Sequence, residues 1–246
     1  MNRTSDYQFT IIVPFYNEVE NVAAMERNIA TFLPLCCKAP ACALFVDDGS
    51  TDGGSAKVRE FCSRHKDFFY LGLERNTGLS GALKAGFDNC FSPFLGYIDA
   101  DFQTDVMDFN LLLKYADQYE MVTGVRAKRN DGFVKRASSR FANWFRRLFT
   151  HDNVSDTGCP LKVIRTDVAR RFPMFNGMHR FLPALTLMAS GKVKQVEVRH
   201  YPRMAGHSKY HLFNRLLGPL GDCFAYRWMA KRYIDYTIKE DTLNEQ

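Results

Sequence analysis

The chain has 246 residues, of which 46% are hydrophobic and 24% charged, and its net charge is +6. This composition predicts one globular domain, with or without a small appendage, and a sizeable core. No apolar run approaches the ~18 residues that span a bilayer, and the amino terminus has no apolar signal region, so we expect neither a membrane span nor secretion. The seven cysteines form neither a zinc spacing nor a disulfide framework, which predicts free thiols in a reducing cytoplasm. The positive charge permits nucleic acid, an anionic membrane surface or phosphorylated substrates as partners and does not choose among them.

Apolar runs alternate with helical stretches over the first half of the chain. The predicted strands lie at residues 9–14, 43–46, 69–73, 94–99 and 120–125. The predicted helices lie at about residues 17–32, 52–66, 79–91 and 105–118. Asn17 and Glu20 have the spacing of a capping box at the start of the first helix. Strands and helices that alternate in this way predict an α/β protein with a mostly parallel sheet.

Polar side chains follow each of the five predicted strands. The groups are Tyr16, Asn17 and Glu18; Asp47 and Asp48; Arg75 and Asn76; Asp99 and Asp101; and Arg126. Because the carboxyl ends of parallel strands meet at one edge of a sheet, we expect these groups to share one rim, where α/β proteins bind their ligands. A single polar loop carries little weight, but five groups on one edge predict a binding site.

Asp99 and Asp101 stand one residue apart where the fourth predicted strand ends. Two carboxylates this close repel each other unless a cation lies between them. A hard divalent ion that also holds the phosphates of a nucleotide is a suitable partner. The alternative is a solvated turn that caps the next helix, which we expect to begin near Thr104 and Asp105.

Four segments, taken in order and spacing, resemble the motifs of family 2 glycosyltransferases with the GT-A fold. The segments are residues 13–18 (Val-Pro-Phe-Tyr-Asn-Glu), 46–52 (Val-Asp-Asp-Gly-Ser-Thr-Asp), 75–78 (Arg-Asn-Thr-Gly) and 99–103 (Asp-Ala-Asp-Phe-Gln). The resemblance covers roughly residues 9–210, and it implies a Rossmann-like, mostly parallel sheet flanked by helices. It leaves residues 211–246 as an amphipathic tail.

The resemblance also implies roles for individual residues. It implies a nucleotide-sugar pocket formed by Pro14, Tyr16, Glu18, Asp47, Asp48, Asn76, Asp99 and Ala100. It implies Mg²⁺ or Mn²⁺ on the diphosphate, held by Asp99 and Asp101 with Gln103 also in the metal site. Asp101 is therefore a candidate catalytic residue.

The second half of the chain is more basic. Residues 133–149 place apolar side chains at helical spacing with lysines and arginines around them. This predicts either an amphipathic helix that covers the sheet or an interfacial helix that meets lipid phosphates. The tail from residue 210 to residue 233 has the same two interpretations. Arg126, Arg136 and Arg140 would suit an acceptor phosphate, because guanidinium binds phosphate in a bidentate manner.

Two further segments, residues 154–162 and 203–210, resemble the polyprenyl-phosphate branch of the family, which contains dolichyl-phosphate mannose synthase. By this resemblance Asp156 and Thr157 lie near the sugar and acceptor. Arg203, Ser208 and Lys209 would bind phosphate and close over the donor, on a loop that suits a mobile lid. Asp156 and Arg203 therefore join the candidate catalytic residues. His179, at the start of a predicted helix at about 180–190, is an outside candidate near the acceptor.

We expect inverting transfer of a hexose from a UDP- or GDP-sugar to a polyprenyl phosphate, by a peripheral enzyme at the cytoplasmic face of a membrane or one held by a separate membrane subunit. An acceptor phosphate is already ionised at pH 7 and needs positioning more than a base. The alternative enzyme uses a sugar hydroxyl of a glycan, with Asp156 as base. A non-catalytic sugar-nucleotide-binding or membrane-scaffolding protein is opposed by the intact Asp99 and Asp101 pair, and nucleic-acid binding by the acidic rim.

Overall fold

The computed structural model describes residues 3–126, 145–201, 217–234, 236 and 239, and a seven-stranded sheet lies at its centre. The strands are β1 (Phe9–Phe15), β2 (Ala41–Asp47), β3 (Phe68–Gly72), β4 (Phe94–Tyr97), β5 (Met121–Arg126), β6 (Lys162–Arg165) and β7 (Val193–Val198). Their order across the sheet is β3-β2-β1-β4-β6-β5-β7. All neighbouring pairs are parallel except the two that involve β6. The five predicted strands and the mostly parallel sheet are confirmed.

Strands β1 and β2 are buried along their whole length, which explains why they read as continuous apolar runs. Their parallel register runs from Phe9 opposite Ala41 to Phe15 opposite Asp47. Because the two strands end together, the loops that follow them leave the sheet at the same edge.

Strand β6 was not predicted. It is four residues long and lies antiparallel between β4 and β5, with Lys162 opposite both Tyr97 and Thr123. Since β6 is antiparallel to both neighbours, β4 and β5 are parallel to each other. Arg126 at the end of β5 therefore lies at the same rim as the residues that follow β4.

The helices are α1 (Val22–Phe32), α2 (Gly54–Arg64), α3 (Gly78–Asn89), α4 (Phe109–Leu113), α5 (residues 145–150), α6 (Thr166–Arg170), α7 (Leu182–Met188) and α8 (Leu217–Ala230). The predicted capping box is wrong. Asn17 has a φ of 51°, and its side-chain oxygen accepts the N–H of Thr51 at 2.7 Å, so it joins two loops of the rim and does not cap a helix. Asp105 does cap the turn that precedes α4, because its carboxylate accepts the N–H of Met107 at 2.9 Å.

Each face of the sheet carries a hydrophobic core. One core contains Phe9 and Phe109, whose rings meet edge to face at 5.4 Å. The other contains residues of α3, α7 and α8; there Tyr226 of α8 stacks on Phe181 at 5.8 Å. Successive residues of β1 alternate between the two cores, so that Ile11 enters one and Ile12 the other.

The seven cysteines are free thiols, as predicted. None of the helices in the described part of the chain is both long and apolar enough to cross a membrane. The boundary that we predicted at residue 210 lies outside the described residues and stays a prediction.

Candidate active site

The loop after β2 is built around the carboxylate of Asp47, which is buried. It accepts hydrogen bonds from the N–H of Ser50 at 2.8 Å, from the hydroxyl of Tyr70 at 2.7 Å and from the hydroxyl of Ser55. Burial alone would raise the pKa of Asp47, but the hydrogen bonds from Ser55, Ser50 and Tyr70 outweigh it and hold the pKa below its ordinary value. Asp47 is thus an ionised carboxylate with three internal donors, and it shapes the loop that carries it.

Asp48 joins the loop after β2 to the start of α3. Its carboxylate accepts the N–H and the hydroxyl of Thr77, both at 2.7 Å, and the N–H of Gly78 at 2.8 Å. Gly49 makes this junction possible, because it has a φ of 73° and a β-carbon there would lie 2.7 Å from the carbonyl carbon of Arg75. The loops after β2 and β3 therefore pack backbone against backbone.

Asp99 and Asp101 lie in the loop that follows β4. The hydroxyl of Tyr97 donates to Asp99 at 2.5 Å, and Asp101 accepts the N–H of Gln103 at 3.3 Å. Burial, reinforced by the negative charge of Asp101, raises the pKa of Asp99 to about 6. Phe102, directly after Asp101, has a φ of 47°, a conformation that non-glycine residues rarely adopt and that often occurs at functional sites.

This loop fits a divalent cation. Asp99 and Asp101 offer the hard oxygen ligands that Mg²⁺ and Mn²⁺ take, and a cation would relieve the repulsion that raises the pKa of Asp99. Among the described residues no group of three or more acidic, histidine or cysteine side chains forms a complete metal cage. An ion held by only two carboxylates keeps coordination positions for other ligands, which suits an ion that also binds substrate phosphates.

Arg126 and Asp156, thirty residues apart, form a bidentate ion pair beside this loop. The Nε and Nη2 atoms of Arg126 donate to the two carboxylate oxygens of Asp156 at 2.7 Å each, and both side chains are largely buried. Burial acts to lower the pKa of Arg126, but the hydrogen bonds and charge of Asp156 outweigh it and raise the pKa. Asp156 is therefore held by a guanidinium, which makes it a poor general base.

Lys162 is a site residue that the sequence did not reveal. It is fully buried in β6, donates to the carbonyl oxygens of Cys159 and of Thr157, the latter at 3.4 Å, and has its Nζ atom 5.8 Å from the centre of the Tyr97 ring. Burial lowers the pKa of this ammonium. A lysine inside the apolar run of residues 161–164 was the available signal, because a charged residue is rarely fully buried without a polar partner.

His179 lies against Ser80 of α3. The hydroxyl oxygen of Ser80 accepts the N–H groups of Gly177 and His179 at 3.1 Å each, so its own proton points to Nδ1 of His179 at 2.8 Å. The ring therefore carries its proton on Nε2. Burial, together with the charges of Arg180 and Lys162, lowers the pKa of His179 to about 3. His179 is a neutral imidazole whose orientation is set by Ser80.

The remaining predicted residues divide into two groups. Pro14 is buried in β1, Ala100 is buried beside Asp99, and Asn76 is exposed after β3. Tyr16 and Glu18 are half-buried in the loop after β1, where Glu18 accepts the side-chain N–H of Asn21 at 2.6 Å. The predicted acceptor and lid residues Arg136, Arg140, Arg203, Ser208 and Lys209 lie outside the described residues.

A mostly parallel sheet with a carboxylate pair beyond the carboxyl ends of its strands places the protein among the α/β proteins that bind ligands at that edge. The family model described as glycosyl transferase family 2 matches residues 10–173, and the chain belongs to this family. The family that the sequence resembled is thereby confirmed.

Two relatives of known function illustrate what the chain is similar to. It is 28% identical over 233 residues to the dodecaprenyl-phosphate galacturonate synthase of Rhizobium johnstonii, and the aligned region covers 91% of this chain and 69% of that protein. It is 31% identical over 206 residues to the undecaprenyl-phosphate 4-deoxy-4-formamido-L-arabinose transferase of Pectobacterium atrosepticum, and the aligned region covers 82% of this chain and 62% of that protein. The chain thus spans about two thirds of the length of these relatives.

Solved structures share the fold. A mannosyltransferase from Pyrobaculum calidifontis, in complex with GDP-mannose and Mn²⁺, superimposes with a TM-score of 0.62 at 18% identity, over 94% of this chain and 66% of that one. The glucosyl-3-phosphoglycerate synthase of Mycobacterium tuberculosis, in complex with Mn²⁺, UDP-glucose and glycerol 3-phosphate, superimposes with a TM-score of 0.66 at 12% identity, over 95% and 84% of the two chains. The chain has the GT-A fold of these glycosyltransferases, as expected.

Proposed function

We propose that the protein transfers a sugar from a nucleoside diphosphate sugar to the phosphate of a polyprenol, with inversion at the anomeric carbon. The observation that carries the proposal is the bidentate pairing of Asp156 with Arg126 beside the Asp99 and Asp101 loop. A hydroxyl acceptor needs a carboxylate base, and the base candidate is held by a guanidinium. A phosphate acceptor needs no base, because it is ionised at neutral pH.

The reaction is a single displacement. An oxygen of the acceptor phosphate forms a bond to the anomeric carbon, the bond from that carbon to the nucleoside diphosphate breaks, and its electron pair leaves with the diphosphate. A bound Mg²⁺ or Mn²⁺ would supply positive charge to the leaving diphosphate, with Asp99 and Asp101 as its protein ligands and Gln103 nearby. The role of this chain is to hold donor and acceptor in line and to exclude water from the anomeric carbon.

The donor pocket that we propose lies at the rim. Asp47 and Asp48 hold its loops in place, and on these loops Tyr16 and Glu18 are half-buried and Asn76 is exposed. The full set proposed for the nucleotide sugar is Pro14, Tyr16, Glu18, Asp47, Asp48, Asn76, Asp99 and Ala100. The set proposed for the acceptor phosphate is Arg126, Arg136, Arg140, Arg203, Ser208 and Lys209.

The similar proteins support the substrate classes. Both curated relatives are named for transfer to a polyprenyl phosphate, and the solved neighbours hold GDP-mannose or UDP-glucose with Mn²⁺. We therefore propose a UDP- or GDP-sugar as donor. A lipid acceptor places the enzyme at a membrane surface, for which we propose peripheral association at the cytoplasmic face, directly or through a separate membrane subunit.

The decisive experiment is transfer from radiolabelled UDP- and GDP-sugars to a short polyprenyl phosphate, with Mn²⁺ or with a chelator. We expect metal-dependent label in the lipid, and its loss in Asp101→Ala but not in the control Asp117→Ala, whose side chain is exposed and paired with Lys38. Hydrolysis of a donor without labelled lipid would overturn the acceptor class.

The Asp156→Asn variant separates the two acceptor chemistries. If the acceptor is a phosphate, this variant keeps measurable turnover and its main defect is a higher KM for the acceptor, because Arg126 has lost the group that orients it. Loss of all turnover together with transfer to a glycan hydroxyl in the unchanged enzyme would favour the hydroxyl-acceptor alternative.

A further inference from the structure

Helices α5 and α8, which meet at Phe149 and Phe224, both expose large apolar side chains. Phe224 and Trp228, one helical turn apart on α8, are 61% and 62% exposed. Leu148 of α5 is also exposed, and the ring of its neighbour Phe149 meets that of Phe224 at 4.8 Å. We name this surface, formed by Leu148, Phe149, Phe224 and Trp228, the α5–α8 face. Single exposed apolar residues are common, but a contiguous group marks a surface that contacts something apolar.

The opposite side of α8 fixes the orientation of this face. Tyr226 is buried, stacks on Phe181 and donates its hydroxyl to the carbonyl of Ala184 at 3.1 Å, and Cys223 is buried beside it. Rotation of the helix to hide Phe224 and Trp228 would expose these two residues. The exposure of the aromatic side chains is therefore a consequence of packing on the core.

The border of the face is cationic. Arg147, Arg227, Lys231 and Arg232 are exposed around it. The guanidinium of Arg232 lies 4.9 Å from the centre of the Trp228 ring, and that of Arg227 lies 3.1 Å from the ring of His151. Within residues 145–152 and 217–234 the acidic side chains are Asp152, which is buried and paired with Arg146, and Asp222, which is half-buried beside Arg180.

Large aromatic side chains bordered by arginine and lysine match the interface of an anionic bilayer. The aromatic rings enter the boundary between headgroups and acyl chains, and the cations meet the lipid phosphates. A partner protein with an apolar groove would satisfy the aromatic side chains, but the exposed charges that the described residues place around them are positive and favour a negatively charged surface.

We propose that the α5–α8 face docks the protein onto a leaflet that contains anionic phospholipid. Phe224, Trp228 and Leu148 enter the interface, while Arg227 and Lys231 contact headgroup phosphates. Membrane docking itself does not require the proposed function. Only one consequence rests on that function, namely that docking brings a lipid acceptor to the site.

A covalent path of a few residues joins this face to the site. Arg146 of α5 pairs with Asp152 and donates to the carbonyl of Val154 at 3.0 Å, and Arg147 donates to the same carbonyl at 3.3 Å. Asp156, which holds Arg126, follows two residues after Val154. A polyprenyl phosphate embedded beside the α5–α8 face would thus have its phosphate at the level of the membrane surface, close to the loop that contains Asp156.

The test is flotation of the full chain with vesicles of phosphatidylcholine, with or without phosphatidylglycerol, in the absence of donor and acceptor. We expect binding that requires phosphatidylglycerol and that falls about tenfold or more in the double variant Phe224→Ser with Trp228→Ser, because the buried apolar area is lost. Charge reversal in Arg227→Glu with Lys231→Glu should remove the dependence on phosphatidylglycerol. The matched control is Leu35→Ser with Leu111→Ser, which alters exposed leucines on another side of the protein.

Several results would overturn the proposal. The unchanged protein could fail to bind anionic vesicles, or the aromatic double variant could bind like the control. Sedimentation velocity is the second measurement: a dimer that dissociates in the aromatic double variant would assign the face to a second copy of the chain. Circular dichroism must show that the variant is folded; if it is not, Trp228→Ser alone replaces it.

Transfer assays separate failure of this proposal from failure of the proposed function. With the lipid acceptor in vesicles, the aromatic double variant should lose activity, while with a short acceptor in solution it should match the control. Vesicle binding without transfer would leave the docking surface standing and remove the function. Transfer to the short acceptor without vesicle binding would support the proposed function and overturn the docking surface.

Discussion

Two cations near the loop that contains Asp156 have different partners and hence different roles. Arg126 binds the carboxylate of Asp156, and this ion pair orients the guanidinium that we propose for the acceptor phosphate. Lys162 donates to backbone carbonyls and lies under Tyr97, whose hydroxyl donates to Asp99. Lys162 thus supplies positive charge behind the proposed metal ligand without competing for its oxygens, in the way that outer-shell groups tune metal sites.

The first prediction concerns Lys162. In Lys162→Met the concentration of Mn²⁺ that half-saturates the protein, in the presence of UDP or GDP, should rise about tenfold or more, because Asp99 loses a nearby positive charge. Electron paramagnetic resonance of free Mn²⁺ measures this without an activity assay. Lys194→Met is the control, since Lys194 lies on β7 and contacts the ring of Tyr115. Equal Mn²⁺ affinity in both variants would contradict the role of Lys162.

The second prediction concerns His179 and acid stability. The folded protein holds the pKa of His179 at about 3, below its ordinary 6.5, so the unfolded chain binds more protons between these values. The free energy of unfolding should therefore fall as the pH drops from 6.5 towards 3, with a contribution from His179 of up to about 1.4 kcal/mol per pH unit. Above pH 6.5 His179 should not contribute to the pH dependence of the free energy of unfolding.

Urea denaturation of His179→Asn across this range is the measurement. The asparagine can still accept the proton of Ser80 but does not titrate, so the curve of the variant should be flatter than that of the unchanged protein. His151→Asn, at an exposed position, is the control. A slope unaffected by His179→Asn would show that the imidazole binds its proton equally in the folded and unfolded states and would contradict the lowered pKa.

At the scale of elements, the antiparallel strand β6 decides the geometry of the site. It lies between β4 and β5, and the segment before it passes over β5 so closely that a β-carbon at Gly124 would lie 2.8 Å from the sulfur of Cys159 and 2.9 Å from a methyl group of Val198. Cys159 follows Asp156 by three residues. The close approach at Gly124 therefore sets how Asp156 meets Arg126.

The third prediction tests this contact. Gly124→Ala should lower the free energy of unfolding by about 1–3 kcal/mol, since the added methyl group overfills a packed interior. It should also weaken turnover, because the segment with Cys159 must move away from β5. Denaturant titration measures the first effect and the transfer assay the second.

Gly221→Ala is the matched control for this substitution. A β-carbon at Gly221 meets nothing within 4 Å, and the residue lies inside α8, so this variant should gain about 0.5–1 kcal/mol of stability. A Gly124→Ala variant as stable as the unchanged protein would mean that the strands relax without cost and that β6 does not hold the site.

At the scale of the whole molecule, the rim joins loops from distant parts of the chain. Residues after β1, β2, β3 and β4 meet there with Arg126 at the end of β5, and contacts such as Asn17 with Thr51 and Asp48 with Thr77 connect some of these loops. A ligand that bridges several of these loops should stabilise the folded state as a unit, because it binds the folded chain and not the unfolded one.

The fourth prediction follows from this linkage. With Mn²⁺ and the correct nucleoside diphosphate at about 100 times Kd, stability should rise by about 2.7 kcal/mol, which is an increase in Tm of about 5–10 °C for a chain of this size. A thermal-shift panel of UDP and GDP, each with and without Mn²⁺, identifies the nucleotide. Asp101→Ala should abolish the increase that depends on Mn²⁺, while Asp117→Ala should retain it. An unchanged Tm with every nucleotide would contradict the donor class.

Local features of the sequence were enough for a large part of the fold and of the site. The apolar runs of β1 and β2, the paired Asp99 and Asp101 and the polar residues at the strand ends are visible without a structure, because each depends on residue types a few positions apart. Parallel pairing then brings the strand ends to one edge, and so the rim could be predicted from the alternation of strands and helices.

Long-range contacts could not be predicted in the same way. The sequence around Asn17 predicted a helix cap, yet its side chain binds the N–H of Thr51. Asp156 was the candidate general base, yet its carboxylate is paired with Arg126, thirty residues away. Strand β6 is too short for its own periodic signal, and its partners are set by the sheet around it. The sequence by itself determined which chemical groups reach the rim, since this follows from local pattern; only the tertiary structure decided how those groups pair, since pairing depends on which distant segments the folded chain brings into contact.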